Sequence, residues 1–138
     1  AEASFAFVND DTAFHAFGPD QDAELAAYAE RIFKRPITRP NLSDLGFSYQ
    51  GARILPNDRR LMGYFIFQDD AGARVCVAVW PSSLPRNDNV IAGLRDNLQT
   101  RFWLEEDLGF AVLAGANDSK VDEITAQVFA HYQEPVDG

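Results

Sequence analysis

The chain has 138 residues, 46% of them apolar, 12% aromatic and 24% charged, with 11 phenylalanines. That is one domain's worth of protein and too aromatic for a disordered chain, so a packed core is expected. Against 12 basic side chains stand 21 acidic ones, and the net charge of −9 disfavours nucleic acid and anionic membrane surfaces as partners.

The chain opens on Ala1 rather than Met, which fits a processed product or an excised piece with any targeting or anchoring segment upstream. Phe5, Phe7, Val8, Phe14 and Phe17 surround Asn9-Asp10-Asp11, and the acidic pair predicts the cap of a short helix over residues 12–17. Gly18-Pro19 ends that piece. A second helix is predicted over 22–34, because Leu25, Tyr28, Ala29, Ile32 and Phe33 make one apolar stripe. Asp20 and Asp22 suit its positive end, Arg31, Lys34 and Arg35 its negative end, and Pro36 stops it.

The period then changes to that of strands. Residues 47–55 predict a first strand, with Gly51 marking a bulge or turn inside it. Residues 61–68 and 74–80 predict a hairpin around Asp69-Asp70-Ala71-Gly72, closed at Trp80-Pro81. Residues 81–97 are the least regular stretch, with a short helical turn expected at most around Val90 to Leu94. A second hairpin is predicted from 100–104 and 109–113 around Glu105-Glu106-Asp107-Leu108. The last helix, 119–133, carries Val121, Ile124, Thr125, Val128, Phe129 and Tyr132 on its apolar stripe, and Ser119 with Asp122 reads as a capping box. Helices and strands segregate along the chain. The expected fold is therefore α+β: one domain spanning 1–138, an antiparallel sheet of about five strands with N-terminal and C-terminal helices packed on it.

Few residues suggest chemistry. Cys76 stands alone, so neither an internal disulfide nor a zinc site with His15 and His131 is expected, and inside residues 75–79 it reads as a buried apolar side chain. Ser82, Ser83 and Ser119 lack a nucleophile-elbow pattern or a nearby histidine. His15 falls beside the apolar residues of the first short helix and His131 falls off the stripe of the last one; both read as polar structural residues rather than general bases. The carboxylate groups sit at predicted helix starts and hairpin turns, where each has a local task. The 9 glycines are dispersed, without a phosphate-binding pattern. No catalytic, cofactor-binding or metal-binding residue is assigned, and no cofactor is expected. Aromatic residues give the one positive signal. Tyr64, Trp80, Phe102, Trp103 and Phe110 fall on neighbouring predicted strands, and those pointing away from the core would make a partner or ligand surface.

One run carries a family likeness. Arg39-Pro40-Asn41-Leu42-Ser43-Asp44-Leu45-Gly46-Phe47, followed by Gly51-Ala52-Arg53-Ile54-Leu55-Pro56, resembles the extracytoplasmic part of bacterial membrane-spanning anti-sigma factors. In that family a helix leads to Pro-Asp-Leu-Ser, then Gly-Phe, then Gly-Gly-Arg-Leu-Leu-Pro. Phe102-Trp103, Leu108-Gly109-Phe110-Ala111-Val112 and Gly115 are similar to its Trp and Gly-Tyr-Ala segment before the last helix. The likeness spans most of residues 20–133. Asn41, Ala52 and Phe110 depart from it, standing where the family has Asp, Gly and Tyr.

The resemblance implies a non-enzymatic sensory domain on the periplasmic face of the inner membrane, the soluble part of a single-pass protein. It implies a periplasmic protein partner or small signal, and a sigma factor reached only through a cytoplasmic domain that this chain does not contain. A small-molecule- or protein-binding α+β domain unrelated to sigma regulation stays open beside it. So does a homodimer using an edge strand such as that around Phe102 to Leu104.

Overall fold

The computed structural model describes residues 15–35, 37–57, 60–116 and 118–133. Strands β1 (His15–Phe17), β2 (Phe47–Asn57), β3 (Arg60–Asp69), β4 (Arg74–Pro81), β5 (Asn87–Arg95), β6 (Leu98–Leu104) and β7 (Leu108–Gly115) form one sheet in the order β1-β2-β3-β4-β7-β6-β5. Every pairing is antiparallel. Among the described residues, helices α1 (Asp22–Phe33) and α2 (Val121–Gln133) accompany the sheet in an α+β fold, with a short 3-10 turn at Ser43–Leu45. Among the described residues the sheet has seven strands, not about five.

Two expectations are corrected at its edges. Residues 15–17 are a strand on β2 rather than the end of a helix, while the Asp10-Asp11 cap lies outside the described residues. The stretch expected to be irregular holds β5, which pairs β6 from Ile91 opposite Phe102 to Arg95 opposite Leu98. Its turn is Asp96-Asn97, both at positive φ (51° and 69°). Two left-handed residues match the twist of a tight hairpin, and Asp and Asn tolerate that conformation without glycine. Because β5 lies outside β6, residues 102–104 are not an edge; among the described residues the edges are β1 and β5.

The bulge at Gly51 is where the sequence put it. The β2–β3 register shifts between Tyr49 and Gly51, leaving Gln50 out of the ladder. Gly51 has φ of 129°, and a Cβ there would lie 2.5 Å from the Phe17 carbonyl oxygen. Only glycine lets β1 approach so closely. At the first hairpin Asp69 Oδ1 accepts from the Ala71 and Ala73 amides (3.0 and 2.8 Å).

Alternation assigns the two sheet faces. The helix-side core joins Leu25, Ala29 and Phe33 of α1 and Val121, Ile124 and Val128 of α2 to Ile54, Phe65, Phe67, Val77, Val79, Trp103, Phe110 and Val112 of the sheet. Each such large side chain contributes about 1.5–3 kcal/mol by leaving water. The segment between α1 and β2 is fastened to α2 by polar contacts. Gln127 Nε2 donates to the Asn41 carbonyl (2.6 Å), Tyr132 Oη to the Thr38 carbonyl (2.7 Å) and Lys120 Nζ to the Leu45 carbonyl (3.1 Å). At the start of α2 the side-chain contact is Asp118 Oδ1 accepting from the Lys120 amide (2.9 Å), rather than a bond from Ser119. Asp22 holds Arg39 Nε at 3.1 Å, and that guanidinium lies 4.2 Å over the Tyr49 ring. No described helix is long and apolar enough to cross a membrane.

Candidate functional site

The second sheet face carries Leu55, Tyr64, Ile66, Cys76, Ala78, Ala111 and Leu113, all buried, with Met62, Trp80 and Phe102 packed against them. Neither helix contributes to this cluster. The five aromatics singled out from the sequence are divided by strand alternation. Trp103 and Phe110 lie in the helix-side core and are fully or almost fully buried, so they are removed from any partner surface. Tyr64, Trp80 and Phe102 share the opposite face, where Tyr64 is buried as well and only Trp80 and Phe102 are partly exposed.

On that face burial keeps one thiol and one phenol in their protonated forms. Burial pushes the Cys76 thiol up to about 12, outweighing the opposite pull of Arg74. The Tyr64 phenol is also raised to about 12, by burial first and then by proximity to Cys76. A thiol that stays protonated at neutral pH is no nucleophile, so Cys76 packs as an apolar side chain. The Tyr64 hydroxyl points to Met62 Sδ at 3.7 Å.

Trp80 stands directly across from Gly109. A Cβ on Gly109 would lie 2.3–2.6 Å from Trp80 Cε2, Cζ2 and Nε1, so the indole occupies the place of the missing side chain. Gly109→Ala is therefore expected to cost about 1–3 kcal/mol by overpacking. In a Trp80→Ala background the new methyl has room. A double-mutant cycle by urea denaturation should show positive coupling of at least about 1 kcal/mol; additive losses would refute the contact.

A different polar group lies on the helix side. Glu105, only 7% exposed, accepts from Trp103 Nε1 at 3.1 Å and from Gln133 Nε2. Arg86 Nη2 donates to Gln133 Oε1 (2.9 Å) and lies 3.7 Å from Glu105 Oε1. The carboxylate thus ties the β6–β7 turn, the β4–β5 connection and the end of α2 together above the Trp103 ring. Sequence reasoning gave Glu105 only a turn. The usable signal was Glu105 two residues after Trp103, just past the end of β6, since a buried indole N–H needs an acceptor.

His131 is also engaged in packing. Its Nε2 lies 2.9 Å from Thr38 Oγ1, and its ring meets Tyr132 edge-on at 4.7 Å. Among the described residues no group of three or more His, Cys, Asp and Glu side chains has the arrangement to hold a metal ion.

Two further surfaces stand out among the described residues. The edge strand β5 exposes Val90, Ile91 and Leu94, the last at 70%, with Leu84 just before it. At the other edge a cavity of about 410 Å³ lies where β1 meets the β2 bulge, and Arg53 and Arg74 both line it. Neither feature was identified from sequence, because each depends on which strands are neighbours. No protein-family model, curated protein or solved structure matches the chain.

Proposed function

We propose that this chain is the extracytoplasmic sensory domain of a membrane-spanning anti-sigma factor, controlling an extracytoplasmic-function sigma factor without catalysis of its own. The observation that carries this reading is the structural role of the run that resembles that family. Asn41 Oδ1 accepts from the Ser43 amide (2.9 Å), setting the 3-10 turn. Gly46 closes that turn in the left-handed region, Phe47 opens β2, and Gly51 makes the bulge at positive φ. The run is a backbone specification, and its departures at Asn41 and Ala52 leave that specification intact. Cys76, His131 and Glu105 are each engaged in packing or structural hydrogen bonds, which suits a binding domain better than a reaction centre.

On this reading the domain lies on the periplasmic face of the inner membrane and binds a protein or a small signal. A state change there would pass to a cytoplasmic sigma-binding domain encoded by the same gene. The test uses the full gene product and a reporter driven by its sigma factor. Deleting residues 1–138 should alter the response to envelope stress while leaving sigma-factor binding unchanged. A parent reading frame without a membrane helix and a sigma-binding domain would remove the proposal.

The β5 edge favours a second reading, a protein-binding or dimerising α+β module unrelated to sigma regulation. Its edge position among the described residues and its exposed Ile91 and Leu94 suit addition of another strand. A mass that rises with concentration in light scattering, and falls back in Leu94→Lys, would favour it.

A further inference from the structure

We infer that β5 pairs with β5 of a second copy of this chain, antiparallel and about a two-fold axis at Ala92. The inference deepens the dimerising reading given above and rests on it.

The hairpin decides which backbone groups face outward. Asp96-Asn97 is a two-residue turn with both residues at positive φ, so Arg95 and Leu98, which flank it, form a hydrogen-bonded pair. Alternation along an antiparallel ladder gives Gly93 with Thr100 and Ile91 with Phe102 the same status. Ala92 and Leu94, opposite Arg101 and Gln99, therefore turn their N–H and C=O groups away from β6. No described strand lies on that side. The exposed side chains single out the same strand. Leu84, Val90, Ile91 and Leu94 are the exposed large hydrophobics among the described residues, and three of the four belong to β5. Lysine and proline commonly keep edge strands apart, and residues 87–95 contain neither.

What fits this edge is the edge itself. In a two-fold pairing residue i meets j and j meets i. Exchange of the outward groups of Ala92 sets Ala92 against its own counterpart, and Val90 against Leu94 of the copy in both directions. Ile91 then meets Gly93 of the copy, where the missing side chain leaves room for it. The pairing ends at Asn89 opposite Arg95, because Asp96 has left the strand for the turn. Centring one residue either way would set Asp88 opposite Leu94, or Ile91 opposite Arg95, a charged residue against an apolar one. An extended peptide of unrelated sequence would meet the backbone groups but not this match of side chains. Each copy carries a net charge of −9, so the two repel, and salt should tighten the pair by screening.

The test is sedimentation of the 138-residue chain from 1 μM to 1 mM at low and high sodium chloride, joined to cysteine cross-linking. The mass should rise from 15.4 kDa toward twice that value, at lower concentration in high salt. Leu94→Lys and Ala92→Pro should each weaken association by about tenfold or more, the proline by removing an outward amide from both copies. If the proline variant fails to fold, Leu94→Lys decides alone, since its side chain is 70% exposed. Ala92→Cys should oxidise to a linked dimer, because facing Cα atoms about 5.5 Å apart suit a disulfide, and Ile91→Cys should link far less. A dimer that ignores both substitutions, or that links faster through Ile91→Cys, would keep the dimerising reading and overturn this surface and register. A constant 15.4 kDa at every concentration and salt would overturn both.

Discussion

Replacing Trp103 by Ala is expected to remove most of the stability of this protein. The indole is fully buried and heads the largest fully buried side chains among the described residues. It stacks on Phe110 at 5.9 Å and meets Phe129 edge-on at 5.2 Å, so it spans the seam between the sheet and α2. Truncating a buried tryptophan costs about 3–5 kcal/mol through lost transfer energy and the cavity left behind. A second loss adds to it. Glu105 would lose its indole donor while its carboxylate remained buried, a further cost of about 1–3 kcal/mol. A domain of this size has about 5–15 kcal/mol in total, so the variant should be marginal or unfolded at room temperature. Trp103→Phe keeps most of the apolar area and should lose clearly less. Urea denaturation followed by circular dichroism orders the three proteins. A wild-type midpoint for Trp103→Ala would show that the indole is not the keystone of the sheet–helix seam.

The second large effect is loss of stability in alkali. The Cys76 thiol titrates near 9 when unfolded and at about 12 when folded, because burial opposes the thiolate. Tyr49 and Tyr64 are raised from 10 to about 12, burial being the leading cause for both. Below pH 9 these groups are protonated in both states and their contribution is complete. Between pH 9 and 12 the unfolded chain releases protons that the folded chain keeps, so stability falls as pH rises. For the thiol alone the loss is on the order of 4 kcal/mol across that window. Thermal melts from pH 7 to 11 should show a falling midpoint from about pH 9, and Cys76→Ala should flatten the early part of the slope. Equal slopes in the two proteins would mean that the thiol reaches water in the folded state.

Both helices were legible in the sequence because their stripes repeat at 3.6 residues and end at clear stop signals. Leu25, Ala29 and Phe33, and Val121, Ile124 and Val128, are buried as that periodicity requires. The central hairpins were legible for a similar local reason, since Asp69 and Gly72 make their own turn. Gly51 announced its bulge by being a glycine within a strand pattern.

Other features had no local signature. The spacing of Val90, Ile91 and Leu94 fits a helical turn as well as a strand, and β6 is what makes it a strand. His15–Phe17 becomes extended only because β2 offers a free edge beside Gly51. Glu105 reads as a turn residue until the ends of α2 and β6 converge on it.

The sequence by itself determined the α+β class, the two apolar helix faces and which residues alternate across each strand, because these follow from periodicity within one segment. The tertiary structure alone decided the number and order of strands, and with it the edge position of β5. It also decided the separation of Trp103 and Phe110 from Tyr64, Trp80 and Phe102, and the placing of Arg53 and Arg74 on one sheet face. The physical reason is the same in each case. Strand partners are chosen by backbone hydrogen bonds and side-chain packing between distant segments, and that free energy is written in no single stretch of the chain.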